Sequence, residues 1–176
     1  MPVRSLVDYK ESSLRVPCRP VDPSDREVQA AITDLWDTLK TKKGLAMAAP
    51  QIGIPFRLFV YDLKRPQEKG APPVRGVLIN PELTVREGAV PVVEGCLSFP
   101  DLDLSIVRPA KVTVSGQNER GENVDYSGEG LFARMVEHEM DHLDGILLPD
   151  RQSSLGRWLS VWRRYRWERK MRGCVR

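Results

Sequence analysis

Apolar residues recur at helical spacing in two stretches of the chain and at strand spacing in several others. Val28, Ile32, Leu35, Trp36 and Leu39 form one stripe of a helix that opens at Pro23 with Ser24 or Asp25 and ends at Gly44. In "LAMAAPQIGIP", which follows, Pro50 and Pro55 argue against a helix. "FRLFVYDL" and "VRGVLINP" read as strands on either side of the loop "KRPQEKGAPP". "LTVREG" and "VPVVEG" read as two more short strands joined by a turn at Gly88. "AKVTVSGQNERGENVDYSG" alternates at Val112 and Val114, turns near Gly121 and returns through Val124 and Tyr126, which predicts a hairpin. From Glu129 the period is helical again, through Leu131, Phe132, Met135, Val136, Met140 and Leu143, with Gly145 as the natural C-cap. A last helix begins near Leu155. With no repeat and no dividing linker, the pattern predicts a single α+β domain over residues 1–176, its strands mainly before the central helix.

Composition changes little in that picture, and charge changes more. The 176 residues suffice for one domain with a real core. No apolar run is long enough to cross a membrane, and "MPVRSLVDYKESS" lacks the continuous apolar region of a secretory signal. A bacterial-type cytoplasm is the expected location. Cys18, Cys96 and Cys174 are distant from one another and odd in number, a poor disulfide framework that suits a reducing compartment. Net charge is +3, yet the segment from Arg157 onward holds eight basic residues against Glu168 alone, a formal +7 that leaves −4 on the rest. Within it Trp158, Trp162 and Tyr165, widened by Leu155 and Leu159, form a helical stripe that reads as a docking face. The surrounding arginines read either as a solvated face or as contacts for ribosomal RNA phosphates, which ask for positive charge rather than sequence readout. Sequence-specific DNA binding is not expected.

Candidate chemistry gathers at "EHEMDHLDG", residues 137–145, which contains both histidines of the chain. His138 and His142 lie one helical turn apart, so their imidazoles can aim at one ion. Glu139 flanks that ion and is positioned to move a water's proton, the HExxH arrangement. A catalytic site of the zinc type needs a third protein ligand beside an open position. Asp144 points off the histidine face, and Asp150 follows the helix. Upstream, Cys96 in "EGCLSFP" sits at a Gly-Cys turn at a strand end; it is either a thiolate ligand or a small buried hydrophobe.

"EGCLS" ahead of "HEMDHLDG", with "GLAMAAPQ" far upstream, resembles the peptide deformylases. The three motifs span Gly44 to Gly145 in that family's order. The resemblance implies antiparallel sheets around a central HExxH-bearing helix, with an N-terminal helix and a basic C-terminal helix over 155–176. It implies removal of the formyl group from the N-terminal formyl-methionine of newly made polypeptides, with release of formate. By position, Cys96, His138 and His142 match the metal ligands and Glu139 the general acid/base. Gln51 and the backbone N–H of Leu97 match the oxyanion donors. Glu94 and Arg108 match a structural pair holding the strand that carries Cys96. The implied cofactor is one divalent ion, ferrous iron in many members and zinc in others; a Cys-His-His set suits both. The small residues around Ala46 suit the close approach of a peptide backbone, as does Gly95, and Leu131 and Met135 are candidates to line a methionine pocket. The resemblance also favours ribosome docking through the C-terminal helix.

Three positions depart from the family pattern. Ala46 stands where a second glycine is usual, Glu137 where glutamine is usual, and Asp103 where many members carry arginine. They leave the chemistry intact and bear on substrate preference. Two other readings stand beside the hydrolase: an HExxH endopeptidase with Asp150 as third ligand, and a structural metal site on an RNA- or ribosome-binding module. Glu139 argues against the last, because a structural site has no use for a carboxylate there.

Overall fold

The computed structural model describes residues 3–63 and 73–152. The C-terminal helix expected from Leu155, with its aromatic stripe and Cys174, lies outside the described residues, as does most of the loop around 64–72. Two α-helices, α1 (Arg26–Lys42) and α2 (Leu131–Leu143), accompany seven strands: β1 (Ala46–Ala48), β2 (Leu58–Asp62), β3 (Arg75–Glu87), β4 (Val90–Cys96), β5 (Phe99–Arg108), β6 (Lys111–Gln117) and β7 (Asn123–Glu129). Single 3-10 turns cover Ser12–Arg15, Ala49–Ile52 and Leu148–Arg151. Among the described residues no helix is long and apolar enough to cross a membrane.

The strands form a five-stranded antiparallel sheet, in the order β1-β2-β3-β6-β7, and a separate ribbon, β4-β5. Strand alternation explains how the larger sheet is covered on both sides. On β2, Leu58 and Val60 meet Val28, Ile32, Leu35 and Leu39 of α1. Phe59 and Tyr61, on the other face, meet Phe132, Ala133, Val136, Met140 and Leu143 of α2. A strand buried on both faces reads as the unbroken apolar run "LFVY". The ribbon has its own core, in which Cys96, Phe99, Leu104 and Ile106 pack on Leu14, Leu147 and Leu148.

The structure corrects several expectations. "VRGVLINP" and "LTVREG" are one strand, β3, bent where its pairing with β6 shifts between Ile79 and Glu82. Asn80 at that point has φ 50°; its amide donates to Val21 O at 2.7 Å and its Oδ1 accepts from Val21 N–H at 2.9 Å. Those two bonds hold a conformation that non-glycine residues seldom adopt. The turn at Gly88 joins β3 to β4, but those strands lie in different sheets. The sequence pattern left β5 unassigned: Pro100, Asp101 and Asp103 mask an alternation of Leu102, Leu104 and Ile106. Helix α1 reverses at Lys43, with φ 56°, one residue before the expected Gly44. Gly44 serves close packing instead, since a Cβ there would lie 2.8 Å from Leu39 and 2.9 Å from Leu97.

Candidate functional site

Two spacings meet at the site. Glu94 and Cys96 are two residues apart on β4 and so face the same way; His138 and His142 are one turn apart on α2. The pleat repeat of a strand and the pitch of a helix are alike, about 6–7 Å and 5.4 Å. Each strand residue therefore meets one histidine. Glu94 Oε2 lies 3.0 Å from His138 Nδ1, and Cys96 Sγ lies 3.2 Å from His142 Nε2. The β4–β5 pairing slips between Gly95 and Cys96, at the ligand position.

Cys96, His138 and His142 each offer one ligand atom, and these atoms lie within 4.8 Å of one another. One soft thiolate and two imidazoles suit zinc and ferrous iron alike, so the donor set fits a single first-row divalent ion. The carboxylate of Glu94 fixes the proton of His138 on Nδ1 and leaves the Nε2 lone pair for an ion, a common arrangement behind metal-ligating histidines. Burial alone lowers the His138 pKa, but hydrogen bonds to Cys96 and Glu94 and the charge of Glu139 outweigh it and push it up to about 10 in the ion-free cluster, so an ion that binds there must displace the Nε2 proton. Fully buried His142 is held well below the ordinary value, first by desolvation and then by the charges of His138 and Arg108. It is therefore neutral, as a ligand must be.

Glu139 is buried, and its Oε2 has no hydrogen-bond partner among the described residues. Burial pushes its pKa up to about 7, against the opposing charge of His138. A carboxyl group poised near neutrality at a cavity wall can both take and return a proton. Gln51 is oriented from behind: its Oε1 accepts from the Ala48 N–H at 2.9 Å, which turns Nε2 towards Ser98 Oγ at 3.2 Å and Cys96 Sγ at 3.7 Å. The amide N–H therefore points into the site.

A cavity of about 640 Å³ opens on this group. Its wall includes Gln51, Cys96, Leu97, His138 and Glu139, and the expected pocket residues Ala46, Gly95, Leu131 and Met135. Asp103 is also on the wall, as are Lys43 and Arg134. The cavity lies where β1, an edge of the large sheet, comes near β4, an edge of the ribbon.

Behind the site, Arg108 is buried in a network of charges. It donates to Glu94 through Nε (3.1 Å) and Nη2 (3.0 Å), and to Asp141 Oδ2 through Nη1 (2.7 Å). Arg151 closes on Asp141 from the other side. The pattern gave no signal for Asp141, Ser98 or Arg86, whose partners are distant in sequence; only the register of Asp141 on α2, three residues after His138, could have pointed to it. Glu137 differs from expectation. It does not line the cavity, and its buried carboxylate accepts from Arg86 Nε at 2.6 Å with Arg108 Nη1 4.0 Å away. Its charge is balanced by Arg86 and is not added to the cavity wall. Asp150 is likewise engaged elsewhere, accepting from Arg15 (2.7 Å) and from the Leu147 N–H (2.9 Å), and Asp144 pairs with Arg57 (2.7 Å). Neither belongs to the cluster of possible ligands, so the endopeptidase reading loses its third ligand.

The polypeptide deformylase family profile matches residues 3–158. The chain belongs to the peptide deformylase family. It is 45% identical over 166 residues to a peptide deformylase of Acidobacterium capsulatum, covering 94% of this chain and 95% of that one. Its fold is similar to the crystal structure of a peptide deformylase from Legionella pneumophila, with TM-score 0.83, 33% identity and coverage of 97% and 98%. It is also similar to a peptide deformylase from Synechococcus elongatus solved in complex with actinonin, with TM-score 0.81, 34% identity and coverage of 93% and 86%.

Proposed function

We propose that this protein hydrolyses the N-formyl group of N-terminal formyl-methionine on newly made polypeptides. The observation that carries the reading is the convergence of Cys96, His138 and His142 beside a buried, unpartnered Glu139 oxygen on one cavity wall. Membership of the peptide deformylase family supports it.

Cys96, His138 and His142 would hold one divalent ion, ferrous iron as the favoured metal and zinc as the alternative. Such an ion supplies Lewis acidity, lowering the pKa of a coordinated water and polarising the formyl carbonyl. Glu139 accepts the proton of the attacking water as its oxygen adds to the formyl carbon. Negative charge then grows on the carbonyl oxygen, where Gln51 Nε2 and the Leu97 N–H donate to it. The C–N bond breaks as Glu139 returns the proton to the leaving nitrogen, which yields formate and a free N-terminus. The open edges of β1 and β4 suit a peptide lying as an extra strand, with Ala46 and Gly95 close to its backbone. Leu131 and Met135 would line the methionine pocket. Glu94 and Arg108 act through His138 as positioning residues.

The test is formate release from formyl-Met-Ala-Ser by metal-loaded protein under anaerobic conditions. No formate from the wild type would defeat the reading. Iron- and zinc-loaded preparations assayed side by side decide the metal. The basic segment 155–176 is proposed to dock on ribosomal RNA from the cytoplasm; reversal of Arg163, Arg164 and Arg166 to Glu should weaken ribosome co-sedimentation, and unchanged sedimentation at low salt would sink that idea.

A further inference from the structure

The exposed face of the ribbon runs directly into the cavity. Positions Val93 and Gly95 on β4, with Asp103, Ser105 and Val107 on β5, alternate with the buried Glu94, Cys96, Leu104 and Ile106. Gly95 and Asp103 are register partners and form the step of that face nearest the ligand cluster. A Cβ added at Gly95 would lie 2.7 Å from Asp103 Oδ1. The carboxylate therefore lies over the bare glycine backbone, on the cavity wall. Gly95 leaves the space that this pose requires.

Asp103 also has no cation among the described residues. Among the described residues, no lysine or arginine nitrogen pairs with it within 4.0 Å, although Lys43 and Arg134 line other parts of the wall. The cavity's other two carboxylates are buried: Glu94 is committed to Arg108 and His138, and Glu139 to the reaction proposed above. Asp103 is the accessible negative charge on a wall that an extended peptide must pass. With the formyl end at Cys96 and Gln51 and the methionine side chain towards Leu131 and Met135, the following residues leave the cavity past Gly95.

The geometry points to Asp103 as a specificity-determining residue that favours formyl-methionyl chains with lysine or arginine at the first positions after the methionine. This rests on the hydrolase reading and adds to it a preference set by this chain's own residue. An exposed ion pair is weak, so the effect should be about two- to five-fold and should shrink in salt.

The experiment compares kcat/KM for four C-terminally amidated peptides: formyl-Met-Lys-Ala, formyl-Met-Glu-Ala, formyl-Met-Ala-Lys and formyl-Met-Ala-Glu. The lysine peptide of at least one pair should be favoured by about two- to five-fold at low ionic strength, through KM rather than kcat, and the gap should close as salt rises. Asp103→Asn should remove the difference and Asp103→Arg should reverse it. Equal kcat/KM across both pairs, or a preference unchanged in Asp103→Asn, overturns the inference while the hydrolase reading stands. Absence of formate from all four peptides defeats that reading and this inference with it.

Discussion

At the scale of single residues, the proposed mechanism separates holding an ion from moving a proton. Cys96, His138 and His142 form the cluster, and Glu139 stands beside it with an unpartnered oxygen. Glu139→Gln should therefore keep the bound metal, measured by elemental analysis, and lose roughly 10²–10⁴-fold in kcat. Cys96→Ala should lose the metal itself; a full equivalent retained in that variant would remove Cys96 from the ligand set. Gln51→Leu keeps the volume but deletes the aimed N–H, with an expected loss of about 10²–10³-fold in kcat at nearly constant metal content.

At the scale of elements, the ribbon and α2 are joined by charges as well as by the Cys96–His142 contact. Arg108 is tied to Glu94 on β4 and to Asp141 on α2, all three buried. Arg108→Ala leaves buried Glu94 without its guanidinium and Asp141 with Arg151 alone, and should cost about 3–5 kcal/mol in urea unfolding. The Arg86–Glu137 pair links β3 to α2 and is asymmetric, with Arg86 half exposed and Glu137 buried. Arg86→Ala should thus destabilise by about 1–3 kcal/mol, and the double variant with Glu137→Gln should recover part of that loss. The apolar periods of α1, α2 and the β6–β7 hairpin carried their elements plainly, because each buries one local face. Strand β5 was hidden by Pro100 and two aspartates, and the split of β3 and β4 between two sheets depends on contacts far apart in sequence. The HExxH spacing was legible because a helix makes it local. Cys96 was one of several third-ligand candidates until the family resemblance singled it out, and the Asp141 and Arg86 contacts left no trace in the pattern.

At the scale of the whole molecule, the N-terminal segment is fastened to the end of α2, where the Cys18 N–H donates to Leu143 O at 2.8 Å. Burial pushes the Cys18 thiol from 9.0 up to about 11, against the charge of Arg57. Below the ordinary value the thiol is neutral in both folded and unfolded chains. As pH rises from about 9 towards 11 the unfolded chain releases its proton first, so this contribution to stability is progressively lost. Urea midpoints should fall over that window, and Cys18→Ala should flatten that part of the fall. The same Arg108 network bears on what happens when metal is withdrawn. With an ion held as proposed, the ribbon would have two latches to α2: the ion, which stabilises by mass action, and a salt-bridge clasp that needs no ion. Chelation opens only the first. The stripped protein should keep its circular dichroism and regain activity on adding metal back, whereas stripped Arg108→Ala should unfold. The enzyme would then be able to lose its ion and reload it without refolding.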